Sequence, residues 1–188
     1  MQLYLIRHTR PAVPAGVCYG QADVDVAETF FDELQVVRGK LAAIHPAASF
    51  SSPLSRCARL AASLGLAENQ HDHRLTELSF GEWEMRAWDD IPREQLDRWG
   101  ESYVHLAPPG GETFGELHAR VVAFLQERLQ LYRGKDVVVV THAGVIRALL
   151  AEALGVPLTE AFRFHLDYGG VTLLRLGDAV PMVGYVNR

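Results

Sequence analysis

Two histidines that each follow a short apolar run are the first candidates for chemistry in this sequence. His8 follows the run 3–7, whose last residue is the cation Arg7, and His142 follows the valine-rich run 137–141. Such runs are typical of strands buried on both faces of a parallel sheet. Ligands bind beyond the carboxyl ends of such strands, so both histidines could face one site. A histidine at a strand end is more often structural than catalytic. Other parts of the chain are therefore needed to decide whether these two histidines are catalytic.

A predicted helix start near residue 52 offers a place for an anion. Ser52 and Pro53 are the residue types preferred at the N-cap and the first position of a helix, and a short strand is expected before them. The free N–H groups and the dipole of a helix N-terminus suit a phosphate, which Arg56 in the first turn could also reach. Arg59 is expected on a solvated face. Cys57 is expected to be a small packed residue, because no nearby base would activate it.

Three carboxylates lie among apolar and aromatic residues in the stretch 74–85, namely Glu77, Glu82 and Glu84. A carboxyl group among apolar neighbours has a raised pKa, which makes it a candidate general acid. Spacing alone does not decide which of the three would act. The neighbouring stretch 71–73, His-Asp-His, contains metal-ligand types, but no third or fourth ligand pattern accompanies it. We therefore predict surface residues there and no metal site.

Amphipathic helices are expected to pack over the strands. Asp25 and Glu28 resemble a capping box, and apolar residues spaced three and four apart follow them. Thr113 and Glu116 form a second predicted capping box, also followed by an apolar stripe. Both stripes are predicted to belong to the core.

The remaining helices and strands are predicted from apolar runs and from the residue types that end them. A helix is predicted over 87–98, and another is predicted to begin after His142 and to end at Gly155, a residue typical of helix C-termini. The runs 171–176 and 180–186 are predicted to be final strands, antiparallel at the edge of the sheet. The pattern is that of an α/β protein.

Composition limits the classes of function. The chain has 188 residues, of which 48% are hydrophobic, so one domain over 1–188 with a substantial core is expected. The net charge of −5 disfavours a general nucleic-acid or membrane binder. Two cysteines match neither a disulfide framework nor a zinc cluster. No membrane-spanning run or secretory leader is recognisable, so a cytoplasmic location is expected.

Four motifs resemble those of the histidine phosphatase superfamily, the phosphoglycerate-mutase-like group. They occur in the family's order and cover most of the chain: Leu-Ile-Arg-His-Thr at 5–9, Ser-Ser-Pro-Leu-Ser-Arg at 51–56, Thr-Glu-Leu-Ser-Phe-Gly-Glu-Trp-Glu at 76–84, and Thr-His-Ala-Gly-Val at 141–145. The resemblance implies a three-layer α/β/α sandwich with a mostly parallel central sheet. It also implies a phosphohistidine mechanism without a metal or other cofactor.

Carried over position by position, the resemblance implies catalytic roles. His8 would be the nucleophile, Arg7 and Arg56 phosphate clamps, His142 a group that stabilises the transition state, and Glu77 the acid. The chemistry fits, because a guanidinium pairs with two phosphate oxygens at once and never loses its proton. A nucleophilic imidazole must be neutral, and adjacent cations favour that form.

Segments 17–25 and 80–84 are similar to the α-ribazole phosphatase branch of the superfamily. That branch removes the 5′-phosphate from a benzimidazole ribonucleotide, or from its cobamide form, in cobalamin synthesis. The likeness implies a small-molecule phosphate monoester as the partner. Aromatic side chains could offer flat surfaces for the base, although core packing is the commoner fate: Tyr19, Phe80, Trp83 and Trp88. The candidate substrate-binding residues are Arg10, Tyr19, Gly20, Gln21 and Trp83.

The sequence departs from the common family pattern at three positions. Thr9 stands where Gly is usual, Arg10 where Glu is usual, and Pro14 where an Asn often touches the phosphate. We expect Arg10 to add positive charge at the mouth of the site.

Other functions stay open at this point. They are a broad-specificity phosphatase, a mutase-type phosphotransferase, and a phospholigand-binding module without catalysis. A homo-oligomer is also left open, because apolar helix faces serve either the core or a second copy.

Overall fold

The central sheet is built around two apolar strands, β1 (Gln2–Arg7) and β4 (Asp136–Thr141). They pair in parallel, and residues 3–6 and 137–140 are buried. The computed structural model describes residues 1–66 and 68–188. The prediction that both apolar runs form buried parallel strands is confirmed.

The other elements complete a mixed sheet with helices on its faces. They are α1 (Phe30–Leu41), β2 (Ala48–Ser51), α2 (Ser55–Ser63), β3 (Gln70–His71), α3 (Arg93–Ser102), α4 (Phe114–Leu131), α5 (Ala143–Leu154), β5 (Val171–Arg175) and β6 (Met182–Tyr185). Short 3₁₀ helices span His73–Leu75, Gly81–Trp83, Trp88–Asp90 and Leu158–Arg163. Over the described residues the sheet order is β3-β2-β4-β1-β5-β6. Strands β1 to β4 are parallel, while β5 and β6 are antiparallel, as predicted for the final strands.

Alternate residues of the central strands point to opposite helical layers. Leu3 and Leu5 belong to the core cluster that contains α4 and α5. Tyr4 and Ile6 belong to the cluster that contains α1 and α2. Burying one such aliphatic side chain contributes about 1.5–3 kcal/mol, so both faces of β1 hold the layers together. The predicted three-layer α/β/α sandwich is confirmed.

Two of the predicted helix boundaries are present. Thr113 and Glu116 make both hydrogen bonds of a capping box at the start of α4. Gly155 ends α5 in the left-handed conformation, with φ +63°. Among the described helices, none is long and apolar enough to cross a bilayer.

The predicted start of α1 is wrong. The helix begins at Phe30 and not after Asp25, because residues 25–29 remain in the loop. Val26 forms an isolated antiparallel bridge with Pro11, and the Asp25 carboxylate is engaged by the Val26 N–H and by Arg59. The Asp25 side chain therefore holds the loop instead of capping the helix.

The predicted cap of α2 is also wrong. The helix begins at Ser55, and the Asp23 carboxylate accepts hydrogen bonds from the Ser55 N–H at 2.7 Å and the Ser55 hydroxyl at 2.8 Å. The Ser52 hydroxyl is instead 2.8 Å from His142 Nε2. A residue distant in sequence thus supplies the capping oxygen, and Ser52 is left to contact the site.

The helix predicted over 87–98 is interrupted. A 3₁₀ turn covers Trp88–Asp90, and α3 begins only after Pro92. Proline cannot donate a main-chain hydrogen bond, so it suits the start of a helix and not its interior. The interruption leaves Trp88 in a loop region, half-buried.

Candidate active site

The register of the sheet brings the two predicted histidines together. Arg7 lies opposite Thr141 in the pairing of β1 with β4. The next residues, His8 and His142, therefore leave neighbouring strands side by side at the carboxyl edge of the sheet. Their ring centroids are 5.1 Å apart, and both side chains are buried. The two strand ends thus meet at one place.

His8 is held as a neutral imidazole with one free lone pair. Its Nδ1 lies 2.7 Å from the main-chain oxygen of Thr9. A carbonyl oxygen can only accept, so Nδ1 carries the proton and Nε2 is unprotonated. Burial, followed by the charges of Arg56 and Arg7, holds the pKa of His8 well below its usual 6.5. Such an imidazole can act as a nucleophile near neutral pH.

Arg7 and Arg56 are bound by main-chain oxygens and not by carboxylates. Arg7 Nη1 donates to the oxygen of Leu166 at 2.5 Å. Arg56, wholly buried, donates to the oxygens of Gly20 at 2.6 Å and Ala22 at 2.9 Å. Within residues 1–66 and 68–188, neither guanidinium forms an ion pair with an acidic side chain. Their positive charge is therefore available to an anion.

Three residues close to the paired histidines carry buried hydrogen-bond donors without partners. In the portion that the structure describes, Arg7 Nε, Arg56 Nε and the Thr9 hydroxyl oxygen are buried and make no hydrogen bond. An unsatisfied buried polar group costs about 1–3 kcal/mol, so such groups call for an explanation. A tetrahedral oxyanion bound beside His8 would supply the acceptors that they lack.

His142 is tied into a small buried cluster. Its Nε2 lies 2.8 Å from the Ser52 hydroxyl and 3.4 Å from the Cys57 sulfur. Burial, followed by the charge of Arg56, holds the pKa of His142 well below 6.5. Burial also raises the pKa of the Cys57 thiol, which is inaccessible to solvent, in line with the packed role predicted for it.

The three candidate carboxylates occupy different environments. Glu77 accepts hydrogen bonds from the N–H groups of Leu78 at 2.9 Å and Gly144 at 3.1 Å, the latter two residues after His142. Glu84 accepts from the main-chain N–H groups of Phe80, Gln21 and Ala22, and Glu82 is exposed. Only Glu77 of the three contacts the segment that carries His142. Glu84 has a structural task in holding the loop.

A cavity of about 390 Å³ is bounded by Tyr19 and Tyr168, two residues whose rings lie beside His8. The rings of Tyr19 and Tyr168 have their centroids 6.4 and 5.6 Å from that of His8, and their hydroxyl groups are 3.0 Å apart. The cavity is lined by Arg10, Pro11, Val13, Pro14, Ala15, Gly16, Val17, Tyr19, Trp88 and Tyr168. The predicted Arg10 and Tyr19 are thus both part of the cavity wall.

Gly20 and Gln21 brace the loop next to this cavity. Gly20 has φ +32°, and a Cβ there would lie 2.4 Å from Glu84 Oε1, so only glycine fits. The Gln21 side chain donates to the main-chain oxygen of Glu77 at 2.9 Å. Their direct binding of substrate stays a prediction.

The prediction for Trp83 is wrong. Its side chain is 2% exposed and packs in a small apolar cluster with Cys18 and Ile91. The indole N–H donates to Gln95 at 3.2 Å. A ring with almost no accessible surface cannot stack on a ligand. Trp88, which was also predicted as a possible flat surface for the base, is the tryptophan that lines the cavity.

Tyr168 is the site residue that the sequence analysis missed. Its ring lies 3.8 Å from the guanidinium carbon of Arg7, a cation–π contact. It precedes Gly169, whose N–H donates to the main-chain oxygen of Arg7, and β5 follows directly. Because β5 runs antiparallel to β1, the start of β5 lies at the carboxyl end of β1, where His8 is. Knowing that β5 pairs with β1 would have identified it.

The His-Asp-His stretch is peripheral. His71 and His73 are exposed, and Asp72 forms an ion pair with Arg74 at 2.7 Å. In the described part of the chain, no cluster of three or more His, Cys, Asp or Glu side chains could hold a metal ion. His71 and His73 are surface residues, as predicted, whereas the Asp72 side chain is only 14% exposed.

The sequence model described as the histidine phosphatase superfamily (branch 1) matches residues 3–188. The chain therefore belongs to the histidine phosphatase superfamily, and the resemblance inferred from its four motifs is confirmed.

Related proteins agree with this assignment and are named phosphatases. Adenosylcobalamin/alpha-ribazole phosphatase of Escherichia coli is 28% identical over 176 residues, 90% of this chain and 87% of the relative. Phosphoserine phosphatase 1 of Hydrogenobacter thermophilus is 27% identical over 185 residues, 95% of this chain and 88% of the relative. A crystal structure of a candidate α-ribazole-5′-P phosphatase from Escherichia coli superposes with TM-score 0.90 and 26% identity, covering 100% of this chain and 96% of the other.

Proposed function

We propose that this chain hydrolyses a small phosphate monoester through a phosphohistidine on His8, and that the substrate is α-ribazole 5′-phosphate or its cobamide form. The observation that carries the proposal is the state of His8. It is neutral, its Nδ1 is fixed by the Thr9 carbonyl, and its pKa is lowered first by burial and then by the charges of Arg56 and Arg7. This combination suits attack on a phosphate dianion, whose charge the arginines would neutralise.

The proposed reaction has two steps, transfer of the phosphoryl group to His8 and hydrolysis of the phosphohistidine. First, His8 Nε2 forms a bond to phosphorus while the bond from phosphorus to the leaving oxygen breaks, and Glu77 gives its proton to that oxygen. Second, a water oxygen attacks phosphorus, the nitrogen–phosphorus bond breaks, and Glu77 takes a proton from the water. Inorganic phosphate leaves, and both His8 and Glu77 return to their starting states. Arg7, Arg56 and His142 would bind the equatorial oxygens.

The choice of substrate rests on two observations. Relatives over most of the chain are named as α-ribazole phosphatases. The cavity bounded by Tyr19 and Tyr168 measures about 390 Å³, within the range of small-molecule sites, and the aromatic rings of Tyr19, Trp88 and Tyr168 line it. A flat benzimidazole riboside suits such walls. Phosphoserine is the second candidate, because a relative of similar identity is named as a phosphoserine phosphatase.

The decisive experiment is hydrolysis of α-ribazole 5′-phosphate in the presence of EDTA by wild type, His8→Ala and His45→Ala. His45 is an exposed histidine outside the site, so its variant controls for the loss of an imidazole. Fast turnover that only His8→Ala abolishes supports the whole proposal. Faster turnover of phosphoserine or p-nitrophenyl phosphate would keep the mechanism and reject the substrate. Absence of turnover with all three substrates would contradict the proposal and favour a phospholigand-binding module without catalysis.

A further inference from the structure

The main chain at Glu77 is held by two side chains from distant parts of the sequence. Its carbonyl oxygen accepts one hydrogen bond from Gln21 Nε2 at 2.9 Å and another from Arg120 Nη2 at 3.0 Å. A carbonyl oxygen has two lone pairs, so this oxygen is fully engaged. The carboxyl group of Glu77 meanwhile contacts the N–H of Gly144. The residue is thus fixed at both its backbone and its side chain.

Arg120, on α4, uses its whole guanidinium in this part of the fold. Its Nη2 and Nε bind the two carboxylate oxygens of Glu112 at 2.6 and 3.1 Å, while Nη1 donates to the main-chain oxygen of Arg74 at 2.7 Å. The side chains of Arg120 and Glu112 are only 20% and 18% exposed. A bidentate pair with low exposure is geometrically rigid, which a surface pair is not.

Glu112 also binds the main chain just after Glu77 and the side chain of Gln21. Besides Arg120, its Oε1 accepts from the Ser79 N–H at 3.0 Å and from Gln21 Nε2 at 3.3 Å. The segment 77–79 is therefore anchored at Glu77 by Arg120 of α4 and at Ser79 by Glu112, which lies just before α4. Because α4 packs against α5, which carries Gly144, the pair also fixes this segment relative to the helix that follows His142.

We propose that the Arg120–Glu112 ion pair is a positioning device for the Glu77 carboxyl group and sets how well that group protonates the leaving oxygen. The inference rests on the proposed role of Glu77 as the acid. Neither Arg120 nor Glu112 touches the substrate in this scheme. They act through the Glu77 backbone, and a displacement of about 1 Å at a reacting group can cost as much as 100-fold in rate.

A leaving-group comparison separates this role from general support of the fold. An alkoxide such as the ribose oxygen of α-ribazole 5′-phosphate needs a proton to leave, whereas p-nitrophenolate leaves without one. Misplacing the acid therefore slows transfer of the phosphoryl group to His8 much more for the first substrate than for the second. Loss of folded protein would slow both equally.

The experiment compares kcat/KM of Arg120→Met on these two substrates with that of Arg128→Met, because kcat/KM reports transfer of the phosphoryl group to His8 and excludes the hydrolysis step common to both substrates. Arg128 is a similarly buried cation on the same helix, paired with Asp72 and Glu127 and without a contact to Glu77. We expect Arg120→Met to lose about 10- to 100-fold on the alkyl phosphate and less than 3-fold on p-nitrophenyl phosphate. Arg128→Met should show no such difference. Glu112→Gln, which preserves the shape of the side chain, should repeat the pattern more weakly.

The same substitution in a Glu77→Gln background completes the test. If Arg120 acts through the acid, Arg120→Met should add no further leaving-group dependence there. Equal losses on both substrates in Arg120→Met and Glu112→Gln would overturn the proposal, as would a leaving-group effect that persists without Glu77. Equal losses in Glu77→Gln alone would instead overturn the acid role of Glu77, and the inference with it.

Discussion

Gly144 and Glu77 are so close that no side chain fits between them. A Cβ built on Gly144 would lie 2.2 Å from Glu77 Oε1, a distance that non-bonded atoms do not reach. The same glycine donates its N–H to that carboxylate. The absence of a side chain at position 144 is what allows the carboxyl group to reach the start of α5.

Gly144→Ala should therefore impair catalysis without impairing the fold. The new methyl group would push the Glu77 carboxyl group away, and we expect kcat on α-ribazole 5′-phosphate to fall about 10- to 100-fold. The helix itself should tolerate alanine, which is favoured over glycine by about 0.5–1 kcal/mol in helices. Steady-state kinetics and urea unfolding would measure both effects.

Gly39→Ala is the matched control, because this glycine also lies in a helix and its Cβ would meet nothing within 4 Å. It should raise the free energy of unfolding and leave kcat unchanged. Undiminished turnover by Gly144→Ala would contradict the proposed place of Glu77 in the reaction.

The buried histidines should make the protein less stable in mild acid. The pKa values of His8 and His142 are well below 6.5 in the folded protein, first because of burial, whereas unfolding returns them to about 6.5. Above that pH both states are neutral and nothing is lost. As the pH falls below 6.5 the unfolded chain takes up protons first, so the free energy of unfolding should drop by about 1.4 kcal/mol per pH unit for each histidine.

Urea unfolding of wild type and His142→Gln between pH 7.5 and about 5.5 would measure this slope. The variant should lose roughly half of the contribution from the pair. Cys57→Ala is the control, because it disturbs the contact with His142 but keeps the imidazole. Identical slopes in wild type and His142→Gln would show that His142 does not remain neutral.

Arg10 should attract anionic substrate over a distance. Its side chain is 62% exposed, its guanidinium carbon lies 5.5 Å from the centre of the Tyr168 ring, and the residue lines the cavity. We expect Arg10→Ala to reduce kcat/KM several-fold at low ionic strength. The reduction should shrink as salt shortens the Debye length from about 30 Å at 0.01 M to about 8 Å at 0.15 M.

Arg133→Ala removes the same charge from an exposed residue that precedes β4, at the opposite end of the sheet. It should leave kcat/KM and its salt dependence at the wild-type values. If Arg10→Ala behaved in the same way, the attraction assigned to Arg10 would be absent.

Trp88 should contribute to recognition of the base. It lines the cavity and is half-buried, with its ring edge-to-face against Phe80 at 5.3 Å. Trp88→Leu should raise KM for α-ribazole 5′-phosphate about 2- to 10-fold, the equivalent of one aromatic contact of about 0.5–1.5 kcal/mol. KM for phosphoserine, which has no base, should not change. A parallel rise for both substrates would place Trp88 in the support of the loop.

The meeting of the two histidines could be predicted because it follows from local patterns. Each apolar run predicts a buried parallel strand, and the residue after such a strand lies at the carboxyl edge of the sheet. The placement of His8 and His142 needed nothing further, whereas their catalytic roles rested on the family resemblance. Glu77 required the family resemblance, since spacing did not distinguish it from Glu82 and Glu84. Its contact with Gly144 depends on how α5 packs.

Other features depend on contacts between distant segments and could not be predicted in this way. Tyr168 reaches the site because β5 returns antiparallel beside β1. Asp23 caps α2 from a loop about thirty residues earlier in the chain, which freed Ser52 for His142. Trp83 and Trp88 look equivalent in sequence, and only the packing of the small cluster with Cys18 and Ile91 buries one of them.

The pairing of β1 has a consequence for how this protein reaches its folded state. β1 precedes α1 to α4 in the chain, yet its neighbours in the sheet are β4 and β5. During synthesis, an apolar strand must therefore wait unpaired until most of the later segments have emerged from the ribosome. Long-range pairing of this kind slows folding and leaves hydrophobic surface open to aggregation meanwhile. Because His8 and His142 meet only through that pairing, recovered phosphatase activity would report completed folding of the central sheet.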